Sequence, residues 1–174
     1  MTASPRLISD RLEPRPLPSA AAGALPGDRA LAARLLDATL SPAWPLADLL
    51  DVLPMQAAAD AAAEPFGVWV MIDREGREVI GDIGFMGPPD PDGSVEVGYS
   101  VVPGHRRRGY ATEAARAVVA WALEQPDVKR VIAHCKAGNE PSIRTLERTG
   151  FQRTGEADGL LAWRIEPAGR DWTR

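Results

Sequence analysis

The stretch Ser94–Glu124, SVEVGYSVVPGHRRRGYATEAARAVVAWALE, changes its periodicity midway, and the rest of the chain has to fit around that change. Up to Val102 it alternates. Val95, Val97, Tyr99 and Val101 face one way and Glu96, Gly98, Ser100 and Val102 the other, which is the period of a strand. Pro103 and Gly104 stop it. From Gly109 the spacing is helical, with Ala111, Ala114, Ala115, Val118, Trp121 and Ala122 on one stripe. Between the two lies His105-Arg106-Arg107-Arg108-Gly109-Tyr110-Ala111, basic first and then small. A strand that hands such a loop to a helix start presents unpaired backbone N–H groups at the positive end of the helix dipole. That arrangement binds phosphate.

The glycines do not follow the common nucleotide patterns: neither Gly-Lys-Ser/Thr nor G-x-G-x-x-G occurs here. What stands is Arg106-x-x-Gly109-x-Ala111. It resembles the Q/R-x-x-G-x-G/A signature of the GNAT superfamily of N-acetyltransferases, whose loop holds the pyrophosphate of acetyl-coenzyme A. Downstream, Asn139-x-x-Ser142, Leu146 and Gly150-Phe151 resemble the N-x-x-A/S…G-F segment of the same superfamily. The nearest likeness is to the branch that acetylates ribosomal-protein N-termini, firm over about 66–166 and thinner before it.

The resemblance implies an α/β (α+β) GNAT fold, a mixed, mostly antiparallel sheet splayed at the cofactor site with helices on both faces. It implies one domain over 1–174, with 1–65 giving the acceptor-side first strand and helices and 66–166 the cofactor-binding core. It also implies a set of roles. Backbone N–H groups from Arg107 through Arg108, Gly109, Tyr110 and Ala111 to Thr112 cradle the pyrophosphate, and Arg106, Arg107 and Arg108 pair with phosphates or stay solvated. Val101 and Val102 pair with the pantetheine amides, and the Val102 N–H serves as oxyanion donor. Asn139 reaches the cofactor or the neighbouring strand.

An attacking amine must lose a proton, and a carboxylate can take it. Glu96, on the strand face that leads to the cleft, is the first candidate, with Glu78 and Glu166 behind it. The alternative is a surface carboxylate in a salt bridge. For the departing thiolate, the tyrosine that many relatives use falls at Leu146, so that tyrosine is absent. Ser142 stands one turn earlier; hydrogen-bonding the sulfur and capping its own helix with Asn139 are both open to it.

A net charge of −4 and a pI near 5.2 argue against general nucleic-acid binding, the triple arginine being the local exception. One cysteine, Cys135, excludes an intramolecular disulfide and a cysteine metal cluster; its apolar surroundings read as core. His105 and His134 lack partners at ligand spacing, so no metal is expected; His105 reads as a loop residue and His134 as packed. The start carries no apolar signal region and no stretch is long enough to span a bilayer, so the expected setting is cytoplasmic.

The remaining elements follow from turn residues and spacing. They are an edge strand over 7–17, a helix from the Asp28 cap to Leu40 with Leu31, Leu35 and Leu36 on its face, and short helices over 46–53 and 55–63. Next come a hairpin of 66–73 with 78–86, strands over 128–136, 151–154 and 160–165, and a helix over 139–148. The tail from Pro167 is expected to pack poorly. Gly81 and Gly84 mark a bulge or a close backbone approach. Trp44, Leu49, Leu50, Met55 and Gln56 are candidates for lining the acceptor pocket, or they simply cover the sheet.

The leading reading is an acetyl-CoA-dependent N-acetyltransferase in which an amine attacks the thioester directly in a ternary complex. A non-catalytic acyl-CoA-binding sensor or scaffold is the alternative, and a ribosome or RNA binder using the arginines a third. The acceptor is open between a protein N-terminus and a small-molecule amine. The oligomeric state is open; the resemblance allows a homodimer, since relatives are often dimers.

Overall fold

Breaker residues, rather than the apolar stripes, set where the elements end. In the structure, a computed structural model that describes residues 3–168, the first strand is β1 (Leu12–Pro16), shorter than the expected 7–17. The residues before it fold back on it, with the Leu7 N–H on Pro14 O and the Ser9 N–H on Leu12 O. The prolines leave β1 on the sheet edge, where a missing N–H costs nothing. Helices α1 (Ser19–Ala24) and α2 (Arg29–Leu36) follow, the latter capped by Asp28 accepting from the Leu31 N–H. The end expected at Leu40 comes at Leu36. Asp37 turns left-handed there (φ 49°) and Thr39–Leu40 leave as the two-residue strand β2, parallel to the fourth strand. Leu31 and Leu35 are consequently exposed, and of the predicted face Leu36 is the residue fully buried.

Helices α3 (Ala47–Leu50) and α4 (Leu53–Ala57) are shorter than the expected 46–53 and 55–63, and α4 starts earlier. The hairpin is β3 (Val68–Asp73) and β4 (Glu78–Phe85), with a register shift at Met71/Ile72. A Cβ on Gly81 would lie 2.4 Å from Ser100 O, and one on Gly84 2.4 Å from Gly67 O; the close approach read from the sequence is present at both. Then come β5 (Ser94–Val101), α5 (Tyr110–Glu124), β6 (Arg130–Lys136), α6 (Glu140–Thr149), β7 (Gln152–Ala157) and β8 (Leu160–Ile165). Gly150, at φ 105°, ends α6. Residues 169–174, most of the tail expected to pack poorly, lie outside the described residues.

The sheet runs β1-β3-β4-β5-β6-β8-β7, antiparallel except where β5 meets β6, with β2 parallel to β4 off this path. Helix α5 covers the face that carries Val97 and Phe85. Trp121 meets Trp69 at 5.0 Å and Phe66 at 5.3 Å between ring centroids. The opposite face of β4 is met by Trp44, whose carbonyl is held by the Arg29 guanidinium of α2. Helices therefore lie on both faces, as the resemblance implied.

β5 and β6 are in register only at Ser94, Val95 and Glu96 against Arg130, Val131 and Ile132. Beyond Glu96 the two strands continue unpaired and diverge. This splay positions the site.

Candidate functional site

A cavity of about 380 Å³ occupies the splay, lined by Val97, Gly98 and Tyr99 of β5, Ala133 to Lys136 of β6, and Asn139, Ser142 and Leu146 around α6. None of Trp44, Leu49, Leu50, Met55 or Gln56 lines it. Trp44, Leu49 and Gln56 are buried, and the Gln56 amide ties Leu17 O to the Val68 N–H, a structural brace rather than a pocket wall. Leu50 and Met55 are exposed away from it.

Which β5 amides face the splay follows from strand geometry. In an antiparallel pair, successive residues send their N–H and C=O groups to alternate sides. Glu96 O accepts from the Met86 N–H and the Val102 N–H donates to Ile80 O at 2.9 Å, so the even-numbered residues serve β4. Tyr99 and Val101 then face the splay, and the Arg106 Nε–H bond to Val101 O at 2.8 Å lies on that side. The Val101 amide lies on the splay side. The Val102 amide does not: its N–H is committed to β4 and is not free to act as the oxyanion donor expected there. Tyr99 is the second splay-facing amide, and the sequence reading missed it.

The loop before α5 is a short turn over Pro103–His105 followed by Arg107 at φ 62° and Gly109 at φ 80°. Two left-handed residues bend the chain so that it enters α5 with its amides bare. Among the described residues, the N–H groups of Arg107, Arg108, Gly109, Tyr110, Ala111 and Thr112 donate no hydrogen bond; the next amide, Glu113, donates to Gly109 O. Such a run at the start of a four-turn helix suits a diphosphate. The Arg107 and Arg108 side chains are exposed, whereas Arg106 folds its Nε back onto β5. His105 lies tilted beside Tyr110, 6.0 Å between ring centroids.

Arg11 clamps this loop, a contact that no local pattern announces. Its guanidinium donates to Arg108 O at 2.8 Å, lies 4.2 Å from the Tyr110 ring centroid and pairs with Glu113 at 2.8 Å. Burial pushes the Glu113 carboxyl up, but hydrogen bonds from Ser9 and Arg11 outweigh it and hold the group below its ordinary value.

The two sides of the splay carry different polar groups. Toward α6, the Tyr99 hydroxyl stands 2.9 Å from Ser142 Oγ, while Asn139 caps α6 by accepting from the Ser142 N–H at 3.2 Å. Leu146 is buried beside them without a polar atom. On the opposite face Glu96 Oε1 lies 2.8 Å from His134 Nδ1. His134, expected to be packed, is an exposed side chain at the cavity rim, because β6 carries it on the same face as Ile132 and hence Glu96. Asp82, opposite Ser100 in the register, shares that face. It accepts from Trp44 Nε1 at 2.9 Å, and burial pushes its carboxyl up to about 6. An acid in the middle of the apolar run Val79–Phe85 was the available sequence signal for it.

The weaker base candidates stay apart from this group. Glu78 opens β4 opposite Asp73, and Glu166 lies 3.5 Å from Arg130 and Arg164. Cys135 is buried, as read. Among the described residues no group of three or more His, Cys, Asp or Glu side chains is placed to hold a metal ion, and no helix is long and apolar enough to cross a membrane.

Known proteins resemble this chain in sequence and in fold. A family model described as an acetyltransferase (GNAT) domain matches residues 19–152. The uncharacterised N-acetyltransferase YjdG of Bacillus subtilis is 34% identical over 111 residues, 62% of this chain and 66% of that protein. The chain spans between about two fifths and two thirds of the length of the first curated relatives it matches. Among solved structures, an acetyltransferase of Agrobacterium tumefaciens superimposes with a TM-score of 0.66 at 25% identity, covering 96% of this chain and 97% of that one. A ribosomal-protein-serine acetyltransferase of Vibrio cholerae, so described provisionally, gives 0.66 at 16% identity over 96% and 100%. With the family model covering more than half of it, this chain belongs to the GNAT acetyltransferase family.

Proposed function

We propose that the chain transfers an acetyl group from acetyl-CoA to a primary amine, of a protein N-terminus or a small molecule, by direct attack in a ternary complex. The observation that carries this reading is the continuity of two runs of unbonded backbone N–H groups. One is the run of amides from Arg107 to Thr112, and the other is the Tyr99 and Val101 edge that faces the splay. A long ligand with phosphates at one end and amides along its arm satisfies both at once. The diphosphate lies on the loop, with Arg107 and Arg108 free to pair with it. The arm runs as an added strand beside β5 and brings the thioester to Ser142 and Glu96.

On this reading the acceptor approaches on the face of Glu96, His134 and Ser100. Its lone pair attacks the thioester carbonyl carbon, and the proton it sheds passes to Glu96 directly or through the imidazole that Glu96 holds. The C–S bond then breaks with its electron pair on sulfur. Ser142 is the group beside the leaving thiolate, while Asn139 holds the first turn of α6 in place.

Calorimetric titration with acetyl-CoA tests the donor half. Saturable binding to the wild type, lost in Gly109→Glu where a side chain fills the loop, is the expected result; no binding to the wild type overturns the reading. Release of CoA from acetyl-CoA with a panel of amines tests the acceptor half. Glu96→Gln should cut that release by about 100-fold, the low end of what a general base contributes. Binding without release for any amine would favour a sensor.

A further inference from the structure

A thiolate leaving a tetrahedral intermediate needs a proton. Leu146, one turn beyond Ser142 in the cavity wall, has none to give. Two hydroxyls in the cavity wall meet each other instead. The Tyr99 phenol reaches across from β5 to α6, 2.9 Å from Ser142 Oγ and 3.3 Å from Ser142 O. Both residues line the cavity that the acyl donor would enter, and Tyr99 contributes a splay-facing amide as well.

Resting on the acetyltransferase reading above, we propose that Tyr99 and Ser142 form a two-hydroxyl relay that protonates the departing coenzyme A sulfur. As the C–S bond breaks, its electron pair passes to sulfur and the Ser142 Oγ proton moves to the thiolate. Ser142 regains a proton from the Tyr99 phenol, and the phenolate is reprotonated from solvent once the thiol has left. The amine's proton leaves on the opposite face, toward Glu96 and His134, so the two transfers do not compete for one group.

The burial of Tyr99 suits it to this. Desolvation raises its pKa, with the hydrogen bond to Ser142 opposing, so the phenol carries its proton when the acyl donor is bound. Ser142 is well aimed for a different reason. As the third residue after Asn139, its N–H is tied to the cap, which fixes the first turn of α6 and with it the side chain.

Tyr99→Phe keeps the ring and its packing and removes only the hydroxyl. With acetyl-CoA we expect it to lower kcat by about 100-fold, while the Kd for acetyl-CoA stays within about twofold. Ser142→Ala should lose at least as much, and the double variant no more than Ser142→Ala alone, since the two act as one unit. The decisive comparison uses a pair of truncated donors, S-acetyl-N-acetylcysteamine and phenyl thioacetate. The aryl thiolate leaves without a proton, so the ratio of wild type to Tyr99→Phe should fall from large to near one. Independent, multiplying losses would overturn the relay, as would a Tyr99→Phe kcat within about threefold of wild type, or an equal loss with the aryl donor. A wild type that binds no acetyl-CoA would instead bring down the reading on which the relay rests, and the relay with it.

Discussion

Two side chains tie the proposed acceptor face and the proposed phosphate loop to measurable quantities. Asp82 is raised from 3.8 to about 6, chiefly by burial, so the folded chain favours its neutral form. An acid raised on folding contributes stability that is fully present below its unfolded pKa and lost as pH rises through the folded one, here between about 4 and about 6. A shift of two units corresponds to about 3 kcal/mol. Asp82→Asn still accepts from Trp44 Nε1 but no longer titrates. Urea unfolding should show it more stable than wild type at pH 7.5 by up to that amount, with the gap closing below pH 4. A gap independent of pH would remove the burial argument. Arg11 is the second case. Its contacts to Arg108 O, Tyr110 and Glu113 hold the loop and touch nothing in the splay cavity. Arg11→Ala should raise the KM for acetyl-CoA by about tenfold, a loss near 1.4 kcal/mol, and leave kcat nearly unchanged. A fall in kcat alone would contradict the clamp.

Among the elements, what could be read in advance was whatever local chemistry decides. The alternation of Val95 to Val101, the helical stripe after Gly109, the Asp28 cap and the Gly150 stop all stand in the structure, because each depends on a few neighbouring residues. Features that depend on a distant partner did not show. The alternation gave Tyr99 a face but not the hydroxyl of Ser142, and it gave Val102 a place on β5 but not the carbonyl of Ile80. Leu31 and Leu35 sat on an apolar stripe that the fold leaves outside. The close backbone approach at Gly81 was legible, and it makes a sharp contrast with Gly98. A methyl on Gly81 collides with the β5 backbone, whereas one on Gly98 meets nothing within 4 Å. Gly81→Ala should lower the unfolding midpoint by the equivalent of about 2 kcal/mol, in the usual range for overpacking. Gly98→Ala should keep its stability within about 0.5 kcal/mol, as surface changes do. Equal losses would mean that β4 and β5 are not so close at Gly81.

For the molecule as a whole, the proposed function makes the splay an incomplete sheet that the acyl donor completes as one more strand. Hydrogen exchange on the chain with and without acetyl-CoA reads this directly. The Tyr99 and Val101 amides should gain protection on binding, while Val102, already bonded to Ile80, should change little. At a ligand concentration 100 times Kd the whole fold should gain about 2.7 kcal/mol. Protection appearing at Val102 instead of Val101 would reverse the assignment of the two edges.

The short seam of Ser94, Val95 and Glu96 on Arg130, Val131 and Ile132 has a mechanical side. It is the only β-pairing among the described residues that joins β1, β3, β4 and β5 to β6, β8 and β7, so tension carried through the sheet from one half to the other must cross it. A molecule gripped at its two ends should therefore part first at this seam, with α5 and α6 bridging the halves. An acyl donor lying along β5 would act as a removable staple across the break, and the force needed to open it would report whether the donor is bound.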